Sequence, residues 1–120
     1  MIEGKKSILV VEDNAGILKL LSLKFKLEGF DVLEAHNGQE ALDLLTSKKP
    51  ALLLLDLLLP VLNGFEVLKK LRELPEIPVI AFSAYKELES KALELGANMF
   101  ISKPFDPDTV VRKTRELLAK

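Results

Sequence analysis

Ala51-Leu52-Leu53-Leu54-Leu55-Asp56, preceded by Pro50 and followed by Leu57-Leu58-Leu59-Pro60, is the stretch that decides the fold. Five apolar residues in a row behind a proline fit a strand buried on both faces in the middle of a parallel sheet. A carboxylate then arrives where that strand should run out. In open α/β sheets, ligands gather at the carboxyl ends of the strands, in the crevice where chain direction switches. Asp56 therefore stands where chemistry is done.

Working outward, Ser7-Ile8-Leu9-Val10-Val11 is a second apolar run, and it ends in the acid pair Glu12-Asp13. Asn14 can cap a helix whose apolar positions Ile17, Leu20, Leu21 and Phe25 recur at helical spacing, with Gly29 as its stop. Asp31 to Ala35 reads as a short, half-exposed strand. His36-Asn37-Gly38 turns the chain into a helix carrying Ala41, Leu42, Leu44 and Leu45.

Beyond the leucine strand, Asn63-Gly64 opens a third helix with Phe65, Leu68 and Leu71 inward. Pro75 and Pro78 bracket the turn into a fourth strand, Val79 to Phe82. The spacing of Leu88, Ala92 and Leu95 predicts a helix from about Lys86 to Leu95, stopped by Gly96. Met99-Phe100-Ile101 is a fifth short strand. Asp106-Pro107-Asp108 then supplies a cap, a proline for the first helical position and an acid facing the positive dipole end. Val110, Thr114, Leu117 and Leu118 line that last helix.

Five strands alternating with five helices imply a parallel sheet with right-handed crossovers and helices on both faces, a single α/β domain over residues 1–120. A hydrophobic content of 48% with 29% charged residues is globular. The net charge of -1 supplies no basic field for sequence-independent binding of nucleic acid. The chain contains no cysteine, which excludes disulfides, thiol catalysis and thiolate metal sites. The opening Met-Ile-Glu-Gly-Lys-Lys lacks the order of a signal peptide. No apolar run reaches the ~18 residues of a membrane helix. A cytoplasmic protein is the expectation.

The residues just past each strand carry the chemistry. The first strand delivers Glu12 and Asp13, the third Asp56, the fourth Ser83 and the fifth Lys103. If the first and third strands are neighbours, their ends lie about 4.8 Å apart and three carboxylates share one pocket. Such a cluster is costly unless a cation neutralises it, and oxygen-only ligands suit Mg²⁺. Lys103 as a point charge and Ser83 as a hydrogen-bond donor complete a place for a phosphoryl group. Attack of Asp56 on phosphorus then gives an aspartyl phosphate, with no general base needed because a carboxylate is already the nucleophile.

Taken together, Glu12-Asp13, Asp56, Pro60, Gly64, Ser83-Ala84 and Lys103-Pro104-Phe105 resemble the response-regulator receiver family, the CheY-like domains of two-component signalling. The likeness covers essentially the whole chain. It implies a flavodoxin-like (βα)5 doubly wound sandwich, its five parallel strands in the order 2-1-3-4-5. It implies that Asp56 accepts phosphate from a sensor histidine kinase or a histidine phosphotransfer protein. Asp13, Asp56 and the backbone carbonyl of Leu58 would bind Mg²⁺, with Mn²⁺ able to substitute, and Glu12 would help through water. Ser83, the backbone of Ala84 and Lys103 would hold the phosphoryl oxygens, and the Lys103–Pro104 peptide would be cis.

By the same resemblance, Phe100 is the switch aromatic, turning inward as Ser83 moves toward the phosphate. The output surface is then the fourth helix, fifth strand and fifth helix. It would be read by a downstream effector or an output domain, without direct contact to nucleic acid or membrane. The resemblance also implies that the domain promotes only its own phosphorylation and dephosphorylation and is not otherwise an enzyme. Leu58 and Tyr85 occupy two positions that shape water access in the family, and Phe100 lacks the hydroxyl of a tyrosine.

Three other readings compete with this one. A phosphatase of the haloacid-dehalogenase kind needs a second aspartate two residues after the nucleophile, where Leu58 stands. A flavodoxin-like electron carrier wants a hydroxyl- and glycine-rich loop after the first strand, and Glu12-Asp13 repels a phosphate there. A degenerate receiver serving as a phosphorylation-independent scaffold is opposed by the competent side chains at every site position. His36, the single histidine, reads as a solvent-facing turn residue.

Overall fold

The leucine run forms the central strand. In a computed structural model describing residues 5–73 and 77–119, the chain runs β1 (Ser7–Val11), α1 (Ala15–Leu27), β2 (Asp31–Ala35), α2 (Gly38–Lys48), β3 (Leu52–Asp56) and α3 (Gly64–Leu71). It continues through β4 (Val79–Ser83), a 3-10 turn (Lys86–Leu88), α4 (Glu89–Glu94), β5 (Met99–Ser102) and α5 (Pro107–Leu118). All strand pairs are parallel, in the order β2-β1-β3-β4-β5. Pro75 lies outside the described residues, as does the stretch Met1–Gly4.

Side-chain alternation along the three central strands feeds two separate cores. Ile8, Val10, Leu52, Leu54, Ile80 and Phe82 face α1 and α5, where Leu18, Leu21, Phe25, Val110 and Val111 close over them. Leu9, Val11, Leu53, Leu55, Val79 and Ala81 face α2, α3 and α4. Every residue of β3 is buried, so both faces need apolar side chains, and a continuous leucine run is the result. Each such leucine contributes about 1.5–3 kcal/mol by leaving water.

Local chemistry sets the helix starts. Asn14, Asn37, Asn63 and Asp106 each accept a backbone N–H from the first turn of α1, α2, α3 and α5. Two expectations need correction. Leu20 of α1 does not face the core; it is about half exposed, as is Leu23, and Leu18 takes the inward position. The helix expected from Lys86 begins as a 3-10 turn, and regular α4 covers only Glu89–Glu94. Neither piece has a side-chain cap at its start, so nothing local stabilises an α-helical first turn there.

Candidate functional site

Strand register brings the sequence-derived residues together. Val11 of β1 pairs with Leu55 of β3, so Glu12 and Asp56 leave adjacent strands side by side. Asp56 in turn pairs with Phe82 of β4, one residue before Ser83. Lys103 follows β5, and its backbone N–H donates to the carbonyl of Ser83 at 2.8 Å. The Lys103–Pro104 peptide is cis.

Glu12, Asp13 and Asp56 each offer a carboxylate oxygen within 4.8 Å of the others. Glu12 is 1% exposed and Asp56 4%, while Asp13 is open to solvent. The charge is met from inside: Lys103 Nζ donates to Glu12 Oε1 at 2.7 Å and to Asp56 Oδ2 at 3.1 Å. Glu12 also accepts the Asn14 N–H at 3.0 Å, and Asp56 accepts the Leu58 N–H at 3.2 Å. Burial alone pushes the Lys103 ammonium toward deprotonation. The hydrogen bond that it donates to Glu12 and the charges of Asp56 and Glu12 outweigh that, and its pKa is raised above the ordinary 10.5.

The donor set fits a hard divalent cation. It consists of oxygens alone, it is concentrated at one point, and one member is open to water. Ser83 is buried, and its Oγ accepts the Tyr85 N–H at 3.0 Å, leaving the hydroxyl proton free to donate elsewhere. Ala84 follows it at the surface. Leu58 keeps its side chain about half exposed beside the pocket.

Phe100 is not at the pocket. It sits half-buried on β5, packed against the core on the α2–α3–α4 side. His36 lies apart as well, exposed, with Nδ1 3.2 Å from Glu40 Oε1. The loop from Asp56 to α3 is held by two glycines. A Cβ on Gly64 would lie 2.6 Å from the Asp56 carbonyl oxygen, and one on Gly38 would lie 1.9 Å from that of Leu62. Val61, in the same loop, has φ +68°.

Sequence reasoning placed all five polar groups but missed two features. One is that Lys103 already spans Glu12 and Asp56; the only hint was the charge imbalance of three acids converging. The other is the Ser83–Tyr85 link, which has no sequence signal because the donor is a backbone amide.

Sheet order and polar pocket together define a CheY-like signalling fold. Residues 8–115 match the family model of the response regulator receiver domain, and the chain belongs to that family. Among its relatives, sporulation initiation phosphotransferase F of Bacillus subtilis is 42% identical over 108 residues, covering 88% of this chain and 87% of that protein. The probable transcriptional regulator ycf27 of Porphyridium aerugineum is 36% identical over 118 residues, covering 97% of this chain and 49% of its own length. The chain thus spans about half the length of several curated relatives it matches. A CheY-like response regulator receiver domain protein from Methanospirillum hungatei superposes with a TM-score of 0.91 at 30% identity, covering 97% of this chain and 95% of that one.

Proposed function

We propose that this receiver domain is a phosphorylation switch in which Asp56 accepts a phosphoryl group from a phosphohistidine of a sensor kinase or phosphotransfer protein. The observation that carries this reading is the meeting of Glu12, Asp13, Asp56 and Lys103 at the carboxyl edge of the sheet. An Asp56 carboxylate oxygen forms the new P–O bond as the P–N bond to the donor histidine breaks. Lys103, already charged and aimed at Asp56, offers its ammonium to the incoming phosphoryl oxygens, and Ser83 offers its free hydroxyl proton.

Asp13, Asp56 and the Leu58 carbonyl are the residues for Mg²⁺ or Mn²⁺, with Glu12 assisting through water. When bound, the cation supplies charge neutralisation and orientation of the phosphoryl group. In this reading Ser83 leaves Tyr85 N–H as it engages the phosphoryl group, Ala84 N–H gives a further donor, and Phe100 moves inward. The α4–β5–α5 face then changes and is read by an effector or an output domain. The whole of residues 1–120 acts as one such unit, in the cytoplasm, and among the described residues no helix is long and apolar enough to cross a membrane.

Intact mass after incubation with acetyl phosphate and Mg²⁺ tests this. The wild type should gain one phosphoryl group, labile to hydroxylamine, and Asp56→Asn should gain none. A wild type that takes up neither a phosphoryl group nor beryllofluoride would move the phosphorylation-independent scaffold to the front.

A further inference from the structure

Helix α4 is held at one end. It is followed by Gly96 at φ +113°, whose N–H donates to the Leu93 carbonyl at 3.1 Å while Ala97 N–H reaches Ala92 at 3.0 Å. That is a Schellman closure, and it leaves the carbonyls of Glu94 and Leu95 without partners from the helix itself. Arg72, at the carboxyl end of α3, takes both. Its Nη2 donates to the Glu94 oxygen at 2.7 Å and its Nε to the Leu95 oxygen at 3.0 Å. A planar guanidinium suits this two-point contact, and its charge faces the negative end of the α4 dipole.

The other attachments lie at the middle of the helix. Ala92 is its one buried residue, and Lys91 Nζ stands 4.7 Å from the centre of the Phe65 ring on α3. The amino-terminal end is different. The 3-10 turn and α4 both lack a side-chain cap, Tyr85 is about half exposed, and Leu88 is only half-buried against the core.

The geometry points to Arg72 as a positioning residue that pins the carboxyl end of α4 to α3, so that α4 moves by swinging its amino-terminal end about that pin. This rests on the proposed switch for the force that moves the helix, since Ser83 Oγ is what holds Tyr85 N–H next to the free end. The pin itself stands on the α3–α4 contacts alone. It also joins the helix that follows Asp56 to the face proposed as the output surface.

Residue-resolved amide exchange tests the pin, with wild type, Arg72→Met and Arg72→Lys compared with and without beryllofluoride and Mg²⁺. In wild type, beryllofluoride should alter exchange over residues 84–90 and leave the Leu95, Gly96 and Ala97 amides protected. Arg72→Met should speed exchange at those three amides by about tenfold or more, in line with losing charge-assisted bonds. It should also let the beryllofluoride response spread into them. Arg72→Lys, keeping the charge but not the fork, should restore part of the protection. Unchanged exchange in Arg72→Met would overturn the pin, as would a wild type that loses protection at residues 95–97 on adding beryllofluoride. If wild type binds no beryllofluoride, the proposed switch fails instead, and the unliganded comparison of wild type with Arg72→Met still decides the pin.

Discussion

Replacing Lys103 with methionine removes an ammonium that Glu12 and Asp56 share and leaves two carboxylates almost out of water. Breaking a buried pair in this way costs about 3–5 kcal/mol, because the surviving charge is uncompensated. The lysine side chain retains 18% exposure, and Asn14 N–H still satisfies one Glu12 oxygen, so solvent screening trims the expected loss to about 2–4 kcal/mol. For a chain of this length that lowers the melting temperature by about 8–15 °C. Urea unfolding at pH 7 in low salt with chelator present measures it. Removing one acid first, as Asp56→Asn, should make the lysine substitution cheaper, with a coupling of about 1–3 kcal/mol in the double-mutant cycle.

Mg²⁺ should stabilise Lys103→Met more than wild type, since in the variant it no longer competes with an internal cation. The pH dependence has a definite sign. The folded pKa of Lys103 is raised above 10.5, so its contribution is complete below that value and fades only as pH rises through the folded pKa. The gap between wild type and variant should therefore hold from pH 7 to about pH 9 and close above the ordinary lysine range. A variant within about 0.5 kcal/mol of wild type in chelator would refute the internal-cation reasoning.

Gly38→Ala should cost about 3 kcal/mol or more in urea unfolding, because its Cβ would lie 1.9 Å from the Leu62 backbone oxygen and only a backbone shift relieves that. Val61→Asn should instead raise stability by about 1 kcal/mol, since Val61 is 82% exposed and holds φ +68°, a conformation that asparagine tolerates and β-branched residues resist.

The architecture was legible because burial demanded it. A strand with neighbours on both faces cannot carry a polar residue until it ends, so Leu52 to Leu55 announced both the centre of the sheet and, through Asp56, its functional edge. The asparagine and aspartate caps were legible for the opposite reason, since each acts within three residues of itself. Helix α1 shows where periodicity fails. With leucines at 18, 20, 21, 23 and 27, apolar residues surround the helix, and only docking against the sheet selects Leu18 and Leu21 over Leu20 and Leu23. Arg72 was invisible because its partners are backbone carbonyls 22 and 23 residues away, which leave no mark on side-chain pattern.

The same division separates what the domain holds still from what it can move. Glu12, Asp56 and Ser83 sit at strand ends whose register is fixed by side chains buried on both faces. A one-residue slip would turn each whole strand inside out. Their mutual placement is thus as rigid as the sheet, which is what positioning for phosphoryl transfer requires. In the proposed switch, mobility would come from an element that the cores grip lightly, and α4 fits: it is six residues long, has one buried side chain and is uncapped at its start. On that proposal, a short helix anchored at one end would turn a small displacement at Ser83 into a larger one at its free end. The uncapped first turn and the arginine clamp at the far end would then be two halves of one device.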